Sequence, residues 1–67
     1  MIIKYCIVPH NADIVLRYFN IDTYEYDSML EYDIAVRDTV KAICSELGVL
    51  YSDVEIYEKY DGYEVEN

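Results

Sequence analysis

The sequence predicts a small α+β domain of order β-α-(β)-α-β-β, with a C-terminal hairpin and with the helices packed on one face of an antiparallel or mixed sheet. Three features predict this class: an apolar N-terminal segment of strand length, a capped amphipathic helix in mid-chain, and a final segment that alternates on both sides of Asp61-Gly62. Because the chain has 67 residues, we expect a single domain over residues 1–67 with one small core.

The first strand is predicted over Ile2–Val8. Apolar side chains occupy both alternating sets of its positions, which favours a central strand covered on two sides. After Pro9 ends this strand, Asn11 is expected to cap a short helix that runs to about Phe19. Ile21–Tyr26 alternates weakly and predicts a short strand or an extended loop.

A long helix is predicted over residues 28–47. Ser28 and Glu31 form the S-x-x-E pattern of a capping box, and Gly48 stands where a left-handed residue ends a helix. Apolar positions recur at close to the 3.6-residue period and predict a buried stripe made of Met29, Val36, Val40, Ile43, Cys44 and Leu47. Asp33 falls inside this stripe. Two explanations of its position are an ion pair with Arg37 and a helix that begins near Asp33.

The C-terminal segments Val54–Tyr60 and Tyr63–Val65 are predicted to form a hairpin around the Asp61-Gly62 turn. Side chains of a strand alternate between the two faces of a sheet. The face against the helices would carry Ile56, Glu58, Tyr60, Tyr63 and Val65, and the face toward solvent would carry Glu55, Tyr57, Lys59, Glu64 and Glu66.

The charge of the chain is strongly negative and uneven. Fourteen acidic and five basic residues give −9, of which residues 22–36 contribute −5 and residues 42–67 contribute −6, whereas residues 1–21 sum to +1. This sign excludes proteins that hold nucleic-acid phosphates with a basic surface. One explanation of the charge is a solvated surface that keeps the protein soluble. Self-repulsion at this charge destabilises a small domain, however, which favours the explanation that the acidic surface has a function.

An acidic sheet face can substitute for DNA in the basic channel of a nucleic-acid-binding protein. Carboxylates two positions apart on a strand are separated by roughly 6–7 Å, and a strand of B-DNA carries one charge per about 3.4 Å. Tyrosines, of which the chain has nine, supply rigid contact area at low entropic cost. Folded carboxylates of this kind would not bind DNA directly.

The stretches DTYEYD (residues 22–27) and EIYEKYDGYEVE (residues 55–66), together with the small size, resemble the acidic inhibitors encoded by bacteriophages, the anti-CRISPR and anti-restriction proteins. The resemblance implies a protein that binds and inhibits a host nucleic-acid-binding defence protein, such as a CRISPR effector or restriction component. Some members of the class act as DNA mimics, and others block an effector sterically or dimerise it. The class shares no sequence motif, so the resemblance transfers no functional residue.

We expect the partner to contact the hairpin first and the first acidic block second, with carboxylates steering the encounter and tyrosines anchoring it. The candidate residues are Glu55, Tyr57, Glu58, Asp61, Glu64, Glu66, Asp22, Glu25, Asp27 and Glu31. The alternative is a cellular interaction module, such as an antitoxin-like or regulatory subunit for a basic partner. A third hypothesis is a sensor that binds a small ligand or metal at a dimer interface.

Catalysis, metals and cofactors are not expected. The acidic stretch that contains Asp22 and Glu31 lacks the spacing and the glycine of an EF-hand, so it predicts at most a weak divalent site. His10 is a lone histidine without an identifiable nucleophile or acid partner, and it predicts a capping or surface role.

The cysteines and the apolar segments predict a cytoplasmic protein. Cys6 and Cys44 are expected to be reduced core thiols. The longest apolar run, around Met1 to Pro9, is interrupted by Lys4 and is shorter than the about 20 residues of a membrane span. Because a domain of this size has a small core, we expect a homodimer.

Overall fold

A computed structural model describes residues 1–59 of the chain and confirms the α+β class, with one α-helix and a three-stranded antiparallel sheet. The elements are β1 (Ile2–Pro9), β2 (Arg17–Asp22), α1 (Met29–Leu47) and β3 (Val54–Lys59), with short 3₁₀ helices at Thr23–Glu25 and Tyr51–Asp53. The predicted turn at Asp61-Gly62 and the strand Tyr63–Val65 lie outside the described residues.

β1 is the central strand, as its two apolar sets predict, and the sheet order is β2-β1-β3. One face of β1 places Ile3, Tyr5 and Ile7 in the core with side chains of α1. On the opposite face, called here the open face, Cys6 is only 3% exposed and lies between its cross-strand neighbours Tyr18 and Tyr57. No helix within residues 1–59 packs on the open face. The prediction that β1 is covered on both faces of the sheet is therefore only partly met.

The predicted helix from Asn11 to Phe19 is wrong. The chain turns after β1, and Arg17–Asp22 forms β2, which pairs with β1 from Ile2↔Asp22 to Ile7↔Arg17. Phe19 and Ile21 pack in the core while Asn20 between them is exposed, so this segment follows the two-residue period of a strand. The central strand β1 needs a second neighbour. Pairing with β1 therefore decides the conformation of this segment, although the spacing of its apolar residues also fits a helix.

The long helix α1 is confirmed, together with both of its caps. The Ser28 hydroxyl accepts a hydrogen bond from the Glu31 amide at 3.2 Å, and Gly48 ends the helix in the left-handed conformation with φ 74°. The Glu31 carboxylate accepts from the Asp27 amide at 3.4 Å, one residue before the position that a capping box predicts.

The buried stripe of α1 differs from the prediction at its start. Val40, Ile43 and Cys44 are buried as predicted, but Met29 is 72% exposed and Tyr32 takes the first buried position. Asp33, which follows Tyr32, is exposed, and it forms no ion pair with Arg37 among the residues the structure describes. The helix begins at Met29 and not near Asp33. The buried stripe of α1 passes through Tyr32, so the polar side chain of Asp33 lies outside the stripe.

The core consists of two adjoining clusters between α1 and the sheet. One contains Ile7, Val40, Ile43, Cys44 and Val54, and the other contains Ile3, Tyr5, Ile21 and Tyr32. Both cysteines are buried free thiols, as predicted. Across residues 1–59 the structure contains no helix with the length and apolar character to span a membrane.

Candidate partner-binding surface

The structure describes seven of the ten predicted partner-binding residues and divides them between two regions. Asp22, Glu25, Asp27 and Glu31 lie in one segment between β2 and the first turn of α1, and Glu55, Tyr57 and Glu58 lie on β3. Asp61, Glu64 and Glu66 lie outside the described residues, so the predicted row of carboxylates across the hairpin stays a prediction.

The first region, residues 22–33, is called here the acidic segment, and two of its carboxylates have structural roles. Asp22 accepts from the Tyr24 amide at 3.0 Å, which caps the first 3₁₀ helix, and lies 3.6 Å from the N-terminal ammonium. The Glu31 carboxylate accepts a hydrogen bond from the Asp27 amide. Glu25 and Asp27 are exposed, and neither forms an ion pair within residues 1–59.

Large apolar side chains stand exposed among these carboxylates. Tyr24 is 86% exposed, Met29 72% and Leu30 69%. Met29 was predicted to be buried because it fits the helical period, and Leu30 was not among the predicted binding residues. Exposed aromatic and methionine side chains beside one sign of charge are typical of protein interaction surfaces.

On β3, the open face holds a hydrogen-bonded cluster of Glu55, Tyr57 and His10. His10 Nδ1 lies 2.7 Å from Glu55 Oε2, the Tyr57 hydroxyl donates to Glu55 Oε1, and His10 Nε2 lies 3.1 Å from the Ser52 carbonyl oxygen. The hydrogen bond that His10 donates to the Glu55 carboxylate raises the pKa of His10. The bonds from Tyr57 and then His10 lower the pKa of Glu55, and the bond to Glu55 raises the pKa of Tyr57.

The partners of His10 lie 42 and 45 residues away in the sequence. They meet because β1 pairs with β3 in the register Val8↔Glu55, which also brings the His10 amide to within 3.0 Å of the Asp53 carbonyl oxygen. Local sequence contains no signal for this contact. His10 is a surface residue, as predicted, and it fastens the end of β1 to β3.

Glu58 lies on the opposite face of the sheet from Glu55, because side chains on a strand alternate. Its cross-strand partner is Tyr5, and its exposed side chain lines two adjacent cavities between α1 and β3. The cavity of about 480 Å³ is also lined by Asp27, Tyr26 and Met29, and the cavity of about 370 Å³ by Asp33 and Arg37. Both include Met29, Tyr32 and Glu58, and together they are called here the α1–β3 groove.

The fold therefore brings carboxylates of the two predicted acidic blocks to one groove. Asp27 and Asp33 come from the first block, and Glu58 comes from the second. Glu55 is separated from them by the sheet.

No protein-family model, curated protein or solved structure matches this chain. Its function must therefore be inferred from its own surface chemistry.

Most of the carboxylates in the described part of the chain have no counterion. Residues 1–59 contain eleven acidic residues. Asp22, Glu46 and Glu55 form ion pairs, and the other eight have no cationic group within 4 Å among the side chains that the structure describes. No three histidine, cysteine or acidic side chains in this part of the chain cluster as metal ligands. The arrangement can attract and bind a cationic surface through separate exposed carboxylates with apolar side chains between them.

Proposed function

We propose that this protein binds a basic nucleic-acid-binding surface of a host defence protein, such as a CRISPR effector or a restriction component, and inhibits it. The observation that carries the proposal is the acidic segment. It presents uncompensated carboxylates around Tyr24, Met29 and Leu30, each more than two-thirds exposed. Between Asp22 and Val36 the chain contains no basic residue that could neutralise these carboxylates from within the segment.

The charge and the apolar side chains support different stages of such binding. Exposed carboxylates attract a basic surface over about 8–10 Å at physiological salt and raise the association rate. Apolar side chains that lose their water on contact hold the complex and slow its dissociation. A basic channel built for phosphates meets both requirements, because its lysines and arginines have long apolar stems.

Inhibition follows from occupancy of the channel. A protein that covers a phosphate-binding surface with carboxylates competes with DNA or RNA for the same cations, whether it imitates the spacing of the phosphates or only blocks access to them. The protein would act as a binding partner rather than an enzyme, in the cytoplasm of the host cell.

The test is capture followed by competition. The full-length chain is used to isolate partners from a bacterial lysate at low salt, and the purified partner is titrated with the chain in the presence and absence of duplex DNA. We expect a nucleic-acid-binding partner whose complex weakens steeply with salt and is displaced by DNA. A complex that is insensitive to salt, or that forms equally well on the DNA-bound partner, would contradict the proposal.

A matched pair of variants locates the surface. The double substitution Glu25→Gln with Asp27→Asn removes two exposed carboxylates of the acidic segment, and Asp13→Asn with Asp38→Asn removes two exposed carboxylates outside it. Each surface pair contributes about 0.2–1 kcal/mol, so we expect the first variant, which removes two carboxylates, to weaken binding about two- to thirtyfold and the second to leave it nearly unchanged. A partner that is a basic toxin or enzyme subunit without a nucleic-acid site would support the antitoxin-like alternative.

We also propose that the chain forms a homodimer. The core is small for independent stability, and the open face leaves Ile2 and Tyr57 about half exposed, at 49% and 51%. Light scattering at micromolar concentration is expected to give twice the mass of the 7.9 kDa chain. A monomer mass would contradict this expectation without affecting the proposed inhibitory activity.

A further inference from the structure

The α1–β3 groove combines apolar side chains with carboxylates: Asp27 lines one of its cavities, Asp33 lines the other, and Glu58 lines both. Met29 and Tyr32 belong to both of its cavities, with Tyr26 beside them, and the rings of Tyr26 and Tyr32 meet edge to face with 5.9 Å between centroids. The Tyr32 hydroxyl is hydrogen-bonded to the Tyr5 hydroxyl inside the core. The Tyr32 hydroxyl is therefore engaged inside the core, and its ring is the part of the side chain that lines the groove.

The electrostatic balance of the groove favours a cation. Asp27, Asp33 and Glu58 line it, and none of them forms an ion pair among the residues that the structure describes. Arg37 lines the smaller cavity, and the N-terminus of α1 adds about half a positive charge. Met1 also lines the larger cavity, but its ammonium is paired with Asp22 and the pair adds no net charge. The remaining groups leave the groove with a net charge of about −1.5.

The exposed position of Met29 needs an explanation that folding does not supply. An unbranched thioether side chain adapts to the shape of a partner, and it is 72% exposed in the middle of the groove. Burial of Met29 by a partner would recover apolar surface that the fold itself leaves in water.

We infer that the α1–β3 groove binds an arginine side chain of the protein partner, with the aliphatic stem against Met29 and Tyr32 and the guanidinium group against the carboxylates of Asp27 and Glu58. Arginine fits better than lysine, since its planar guanidinium donates two parallel hydrogen bonds to one carboxylate, which a lysine ammonium cannot do. The larger cavity, at about 480 Å³, falls within the range of roughly 300–1,000 Å³ that is typical of ligand sites. This inference rests on the proposed function, because it assigns the basic partner a specific side chain.

The probe is the blocked peptide acetyl-GRGGRG-amide, titrated into the ¹⁵N-labelled, ¹³C-methyl-methionine-labelled full chain and followed by NMR. We expect shifts at the Met29 methyl and at the amides of residues 26–33 and 58, with little change at Asp38 and Glu46. The lysine peptide acetyl-GKGGKG-amide is expected to bind at least threefold more weakly. Equal binding of the two peptides, shifts spread over all exposed carboxylates, or no shifts at all would overturn the inference.

Substitutions separate the groove from general acidity. Glu58→Gln and Asp27→Asn are expected to weaken the arginine peptide about threefold each, as for exposed ion pairs, and Met29→Ser is expected to weaken both peptides. Asp38→Asn carries the same charge change at an exposed position of α1 outside the groove and is expected to change binding less than twofold. A loss at Asp38→Asn as large as at Glu58→Gln would overturn the inference.

The same variants distinguish this inference from the proposed function. If Glu58→Gln binds the purified nucleic-acid-binding partner as tightly as the unmodified chain, the groove is not the arginine site, while the proposed function stands. If the peptide binds in the groove but no nucleic-acid-binding partner is captured, the proposed function fails and the arginine site stands.

Discussion

His10 contacts two groups that can only accept hydrogen bonds. Its Nδ1 meets the Glu55 carboxylate, and its Nε2 meets the Ser52 carbonyl oxygen. A neutral imidazole has one N–H and can donate to only one of them, so both contacts together require the imidazolium form. Asp53 and Asp13 add negative charge around this cluster. The side-chain contacts that His10 adds to the pairing of β1 with β3 therefore depend on the protonation of its imidazole.

This link predicts a pH window for the stability of the fold. The raised pKa of His10 contributes stability that is fully present below its ordinary value of 6.5 and is lost as the pH rises through the folded-state pKa. The lowered pKa of Glu55 contributes stability that is fully present above its ordinary value of 4.5 and is lost as the pH falls through the folded-state pKa. We expect the contribution of the pair to be greatest between pH 4.5 and 6.5, measured by denaturant unfolding at a series of pH values.

Two variants isolate the contributions of the cluster. His10→Gln is expected to flatten the decline in unfolding free energy above pH 6.5, because it keeps a polar side chain but removes the titration. Tyr57→Phe removes the donor to Glu55 Oε1 and is expected to raise the pKa of Glu55 toward its ordinary value, as measured by NMR titration. An unchanged decline with pH in His10→Gln would show that another group causes it.

At the scale of the elements, α1 was the most predictable because its signals are local. The Ser28 cap, the recurring apolar positions and Gly48 all lie within the helix or next to it, and all predict the same boundaries. β2 could not be predicted in the same way. Its apolar residues fit a helix as well as a strand, and only pairing with β1, ten or more residues away, decides between them.

The C-terminal end of α1 provides a test of backbone energetics alone. Gly48 has φ 74°, and nothing lies within 4 Å of the position that a Cβ would occupy there. Gly48→Ala is therefore expected to destabilise the protein by about 1–2 kcal/mol through the left-handed backbone and not through a clash. Gly48→Asn is expected to cost less, because asparagine tolerates this conformation. Equal losses for the two variants in denaturant unfolding would contradict this explanation.

At the scale of the whole molecule, the net charge of −9 acts against the fold. Eight carboxylates have no cationic group within 4 Å among the side chains that the structure describes, so their mutual repulsion is relieved only by salt. We expect the midpoint of thermal unfolding to rise by about 4–8 °C between low and physiological salt, which corresponds to about 1 kcal/mol in a domain of this size. The variant Glu25→Gln with Asp27→Asn should show a smaller rise, and an absence of salt dependence would contradict the expectation.

The candidate site could be predicted in its chemistry but not in its layout. Charge counts identified both acidic blocks from the sequence, and alternation along β3 correctly separated Glu55 from Glu58. That Glu58 meets Asp27 in one groove depends on how α1 crosses the sheet, which no local pattern encodes. Met29 was assigned to the core because the helical period extends to the first turn of α1, where the structure leaves this side chain exposed.

The central place of β1 also determines the order in which the sheet can form. Its nearest pair with β2 is ten residues apart, Ile7↔Arg17, whereas its nearest pair with β3 is 45 residues apart, Pro9↔Val54. Closing the longer loop costs about 1.3 kcal/mol more chain entropy. On a ribosome, β1 and β2 emerge together and form a hairpin early, while the other edge of β1 stays open until β3 has been synthesised. The newborn chain therefore keeps an unpaired strand edge until β3 emerges, and during that interval its negative charge opposes aggregation.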